Sequence, residues 1–151
     1  MGRHAIDDEL MTEHVKAHHA EIAKLGLYLA SVKDPEVRRM IGLQRAMMEQ
    51  HVETMESLLR GASATLPPIP ITPPPMPQGQ HESPLSDHDV AMDCRMTAVG
   101  MGSDNYWSAE HMHDNTARHI HFQMAEQNAT MASLYATHLK EHKERMTDAL
   151  R

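Results

Sequence analysis

"TLPPIPITPPPMPQGQHESP", Thr65 to Pro84, holds eight of the nine prolines in the chain. Proline has no backbone N–H and fixes its own φ, so neither a helix nor a strand ladder can run through this stretch. It reads as an extended, polyproline-type connector. It also divides the sequence into two halves of similar pattern.

Before the connector, Met11, Val15, His18, Ile22, Leu25, Leu29 and Val32 follow one another at alternating steps of four and three, the spacing of one face of a bundle helix. Val37, Ile41, Gln44, Met48, His51, Met55 and Leu58 repeat that rhythm after "KDPE". There Asp34 suits an N-cap, Pro35 the first helical position and Glu36 the positive end of the helix dipole. Helices are expected over about 7–32 and 35–60, folded back as a hairpin. After the connector, "SDHD" offers a capping box through Ser86 and Asp89. A third helix over about 87–112 has a weaker pattern: Gly100 and Gly102 near its middle each cost about 1 kcal/mol against alanine, and a kink is expected there. The fourth is strongly periodic, with Ala117, His121, Met124, Asn128, Met131, Tyr135, His138 and His142 on its seam.

Sliding one half over the other by eighty residues lays "KDPEVRR" on "HDNTARH", with Asp34 on Asp114 and Arg38 on Arg118. The chain reads as a duplicated helical hairpin, and two hairpins with apolar seams bury them best against each other. A helix of ~26 residues is ~39 Å long, whereas a ~25-residue polyproline connector reaches ~78 Å. The connector can therefore run the length of the bundle and set the second and third helices parallel. The expected fold is all-α: a single ferritin-like four-helix-bundle domain spanning residues 1–151, with a hairpin over 7–60, a Pro-rich crossover over 61–85 and a second hairpin over 86–148.

Composition agrees with this. The chain has 151 residues, 40% of them hydrophobic, yet only one Phe, one Trp and three Tyr, so aliphatic side chains and fourteen Met must fill its core. A net charge of −7 and a pI near 6.0 leave no basic stripe for a nucleic acid. The lone Cys94 builds no disulfide framework and suits a small buried hydrophobe. "MGRHAIDDEL" lacks the apolar run of a signal peptide, and nothing approaches a membrane span. The expectation is cytoplasmic synthesis with neither a membrane nor a nucleic-acid partner.

Thirteen histidines raise the question of metal. Pairing the helices layer by layer sets His18 opposite His51 and Val15 opposite Met55, and brings Asn105 level with Met124 and Ser108 level with His121. His14 lies one turn from His18, and Glu110 or His111 stands nearby. His14, His18, His51 and His121 thus form a candidate set for zinc, copper or iron, since neutral imidazole ligates such ions. The alternative is an ordinary hydrogen-bonded core, with His18 and His51 satisfying each other or Gln44 and Asn105. His138 and His142, with His88 across the bundle, form a second and more exposed group. The di-iron set of ferritin-like oxidases is not expected: the middle layers carry Ile22, Leu25, Gln44, Met48, Met101, Asn105, Met124 and Asn128, with no inward carboxylate. Met40, Met47, Met48, Met55 and Met124 sit at core spacing rather than as a Cu(I) track. Asn128-Ala129-Thr130 falls on a seam, which does not suit a glycosylation site. No Gly-rich phosphate loop, nucleophile triad or HExxH motif is present, so no enzyme activity is expected.

The second half resembles the spore coat protein F family. The likeness rests on the acidic helix start (Asp87, Asp89, Asp93), Tyr106, Glu110 a turn later, and the short turn into a helix bearing Asn115 and Arg118. "YLASVKDPEVRRMI" in the first half matches more loosely. The resemblance implies a ferritin-like structural protein of the spore coat that has lost its iron site. Its partners would be further copies of itself or other coat proteins.

Overall fold

The computed structural model describes residues 4–76 and 82–150, so the stretch 77–81 of the connector lies outside the described residues. Four helices follow in order: α1 Ala5–Leu29, α2 Pro35–Leu59, α3 Asp87–His111 and α4 Asn115–Ala149. No strand occurs among the described residues. Helix starts are written as local chemistry. The Asp34 carboxylate accepts from the N–H groups of Glu36 and Val37 at the head of α2, and Pro35 follows as the first helical residue. Ser86 Oγ accepts from Asp89 N at 3.0 Å, and Asp114 accepts from Ala117 N at 2.8 Å. Gly61 ends α2 with φ of +80°, and the bonds Gly61 N to Leu58 O and Ala62 N to Ser57 O close a Schellman turn.

One expectation shifts. α1 stops at Leu29, short of Val32, because the Arg38 guanidinium caps its end, donating to Leu29 O at 2.6 Å and Val32 O at 2.9 Å. α3 runs unbroken through Gly100 and Gly102. Gly102 admits a close neighbour: a Cβ there would lie 3.3 Å from Asn128 Cβ of α4.

The duplication is visible in the bonds that tie the ends. Asp87, at the start of α3, accepts from Lys33 N at 3.2 Å and Asp34 N at 2.7 Å, in the turn that starts α2. Eighty residues earlier, Asp7 at the start of α1 accepts from His113 N at 3.0 Å and Asp114 N at 2.8 Å, in the turn that starts α4. Arg118 repeats the role of Arg38, donating to Met112 O at 3.1 Å. α2 and α3 therefore begin at one end of the bundle, α1 and α4 at the other. The order is up, down, down, up, as a ferritin-like crossover requires.

The connector lies along the bundle as a strap. Ala64 and Leu66 pack on the core near the foot of α4, Pro67 O accepts from Gln127 Nε2 at 2.8 Å, and Ile69 and Met76 reach the opposite half of the core. At Gly42 the strap comes so near that a Cβ would strike Met76 Sδ and stand 3.0 Å from Pro73 Cβ. Gly42→Leu is expected to lift this part of the strap while sparing the helices. Limited proteolysis should then cut near Pro73 faster at unchanged helical circular dichroism; equal cutting rates would refute the contact.

The apolar core forms two clusters. One gathers Leu25, Leu29, Val37, Met40, Ile41, Met47, Met48, Cys94, Ala98, Met131 and Tyr135; the other Met11, Met55, Leu58, Met112, Ala117, Ile120 and Met124. Between them along the helices lie buried polar residues: His18 on α1, His51 on α2, Asn105 on α3 and Asn128 on α4, with His121 a turn away. This polar belt separates the two apolar clusters.

Candidate metal centre

Helical spacing decides how the triplet at the start of α1 is used. His14 is half-buried, His18 fully buried and His19 exposed. His18 faces His51 with ring centres 5.7 Å apart, and His14 meets His121 at 5.5 Å. His14 and His18 stand 6.5 Å apart, and α3 enters through Ser108, whose hydroxyl lies 2.6 Å from His14 Nε2. His18 thus lies opposite His51 as the seam spacing leads one to expect, and Ser108 and His121 both meet His14. His18, His51 and His121 have no exposed surface.

Each of these three rings is anchored on one side only. His18 Nδ1 lies 2.7 Å from His14 O, His121 Nδ1 2.8 Å from Ala117 O, and His51 Nε2 2.7 Å from Gln127 Oε1. Carbonyl oxygens only accept, so these nitrogens carry the proton and the other nitrogen of each ring holds a bare lone pair. Those other atoms, His18 Nε2, His51 Nδ1 and His121 Nε2, are buried and have no partner among the described residues; neither do both side-chain polar atoms of Asn105 nor Asn128 Oδ1. Burial, and for His18 next the neighbouring His51 ring, pushes His18 down to about 3; burial pushes His51 and His121 down to about 4. The rings are neutral at neutral pH, the form that ligates.

The duplication supplies an internal comparison. Eighty residues away, the counterparts of His18, His51, Asn105 and Asn128 are Ala98, Met131, Leu25 and Met48, and that of His121 is Ile41. The opposite half of the bundle has its own buried polar group, fully bonded: Tyr135 Oη donates to Gln44 Oε1 at 2.8 Å, and Gln44 Nε2 donates to Cys94 O at 3.2 Å. Cys94 is buried, and burial pushes its thiol up to about 12, so it is an inert packing residue. Gln44 and Asn105 do not serve the histidines, and His18 and His51 do not bond each other.

Asp7 is the one buried carboxylate among the described residues, and it is committed to the turn at His113 and Asp114. The ferritin-type iron ligands therefore do not fit this chain. His4, Asp7 and His113 do bring three ligand atoms within 4.8 Å of one another at the bundle end, with the His4 and His113 rings stacked at 3.9 Å. The sequence reading missed this group, since a first-turn aspartate looks like a partner of the helix dipole. His4 Nδ1 there accepts from Ile6 N as the α1 cap. At the far end the His88 and His142 ring centres lie 4.7 Å apart in a tilted pair, and His138 lies 4.0 Å from Asp34. Met40, Met47, Met48, Met55 and Met124 are buried in the two apolar clusters.

The sequence matches no family model and no curated protein. Among solved structures, the fold is similar to a "putative spore coat protein" of Bacillus halodurans C-125, with a TM-score of 0.77 over 95% of this chain and 91% of that one, at 12% identity. The bundle thus has a counterpart of nearly equal extent. Among the described residues, no helix is long and apolar enough to cross a membrane.

Proposed function

We propose that this protein is a non-enzymatic structural subunit that associates with further copies of itself, as a component of a spore coat would. The observation that carries this reading is a second apolar stripe on α3. Val90, Cys94, Ala98, Met101, Asn105 and Ser108 face the core. Met92, Met96, Val99 and Tyr106 run along the other side at helical spacing, between 45% and 62% exposed, with Trp107 beside them at 54%. A helix apolar on two sides wants covering on both.

Next to this stripe, Val99, Tyr106, Trp107, Phe122 and Ala129 line a groove of about 780 Å³ between α3 and α4. Tyr106 packs edge-on to Phe122 at 5.3 Å, and Trp107 stacks on His111 at 4.0 Å. Rigid, half-exposed aromatics of this kind anchor protein–protein contacts. The full-length likeness to a protein described as a coat component, and the residues shared with the coat protein F pattern, give the setting. Asp87 of that pattern holds the turn at Asp34, and Tyr106 lies on the outward stripe.

Size-exclusion chromatography with light scattering tests this. Self-association that grows with concentration is expected, and Trp107→Glu should weaken it about 30-fold, the ~2 kcal/mol of an interface anchor, at unchanged melting temperature. A strict monomer at millimolar concentration would refute the reading.

A further inference from the structure

We infer that the polar belt is a binding site for a single divalent transition-metal ion of the zinc class, held by His18 Nε2, His51 Nδ1 and His121 Nε2. His14 is the adjacent fourth donor. The ground is the arrangement of the rings. Protein histidines that ligate metal donate their outer N–H to a carbonyl or carboxylate, which fixes the tautomer and turns the bare nitrogen inward. Here three rings from three different helices are anchored in this way, and in each the other, buried nitrogen is the orphan. Buried polar atoms are otherwise satisfied in folded proteins, as they are in the Tyr135–Gln44–Cys94 group at the opposite half.

Distances support the assignment. With metal–nitrogen bonds of about 2.0–2.1 Å, two imidazoles on one tetrahedral ion have ring centres about 5 Å apart. Within the assigned set His18 and His51 stand at 5.7 Å, and His121 adjoins it through His14, which lies 5.5 Å from His121 and 6.5 Å from His18. No three of these rings bring a nitrogen each within 4.8 Å of one another, so binding draws them inward. The methionines at the flanks, Met48, Met55 and Met124, are the unbranched side chains that accommodate such a shift. Neutral nitrogen donors with no carboxylate select a borderline ion over Mg²⁺ or Ca²⁺. The belt differs from a carboxylate di-iron centre in donor type and in nuclearity.

The experiment uses the full chain without an affinity tag, freed of metal with a chelator and titrated with Co²⁺, whose tetrahedral complexes absorb strongly in the visible. Expected are bands that saturate near one equivalent, about one ion per chain, and that Zn²⁺ bleaches, together with a rise in melting temperature on adding Zn²⁺. The variant carrying His18→Leu and His51→Leu should show no bands while keeping its helical circular dichroism. His19→Ala, which removes an exposed neighbour, should leave the bands unchanged. Gln127→Leu, which frees the His51 ring without touching a ligand, should weaken Zn²⁺ binding by about 10-fold or more. If the double variant does not fold, His121→Asn takes its place with the same expectation. Absence of bands in the parent, or bands that survive loss of the buried histidines, overturns the assignment.

Discussion

Metal-free protein is expected to lose its fold as the pH falls from about 7 towards 4. His18 titrates at about 3 in the folded chain, His51 and His121 at about 4, all from an ordinary value of 6.5. The unfolded chain therefore binds protons first. Stability is complete above about pH 6.5 and drains away between there and the native values. By pH 5 each buried ring has withdrawn about 2 kcal/mol, and the three together about 6 kcal/mol, comparable with the whole stability of many domains. Urea midpoints followed by circular dichroism from pH 8 to 4.5 would reveal the slope. The variant with His18→Leu and His51→Leu keeps one buried ring, so its midpoints should fall with about a third of the parent's slope, and that ring withdraws at most about 3 kcal/mol before its native value near 4 is reached. Midpoints that stay level between pH 7 and 5 would mean that water reaches the rings.

Asp7→Ala should be the most damaging single change outside the core, lowering stability by about 2–4 kcal/mol. The Asp7 carboxylate has no exposed surface and accepts from His113 N and Asp114 N, thereby joining the start of α1 to the start of α4. Burial alone would push this carboxyl up; the two amides and the His113 ring outweigh it and hold the group below its ordinary value. That portion of stability is present above about pH 4 and lost only as the pH falls through the lowered native value. Asp7→Asn keeps an acceptor but loses the charge, and should fall between parent and alanine variant. Asp87→Ala removes the counterpart contact at a less buried carboxylate and should cost less. Thermal melts at pH 7 rank the four proteins. Equal melting points for parent and Asp7→Ala would show that water replaces the carboxylate without loss.

α2 was legible throughout: all seven of its seam residues, from Val37 to Leu58, are buried. A single apolar stripe on a helix has one reading. α3 was hard to read because Met92, Met96, Val99 and Tyr106 form a second stripe, which blurs the period on which the assignment depends. Gly102 serves the approach of α4, a relation between helices that no local pattern encodes. The histidine cluster followed from counting layers. The partners that set each ring's tautomer did not: Gln127 belongs to a different helix from His51, and two of the three acceptors are main-chain carbonyls. The resting place of the strap on Gly42 was equally invisible, since proline spacing gives reach and no address.

The interruption of the core has a last consequence, independent of any ion. Apolar seams of evenly spaced aliphatic and methionine side chains are forgiving, and one helix can slip past another by a turn, about 5.4 Å, with little loss of contact. Here such a slip would carry His51 into the layer of Met48 or of Met55 and strand an imidazole in hydrocarbon. The belt therefore works as a registration mark: it singles out one alignment of four helices from the several that their oily faces alone would allow.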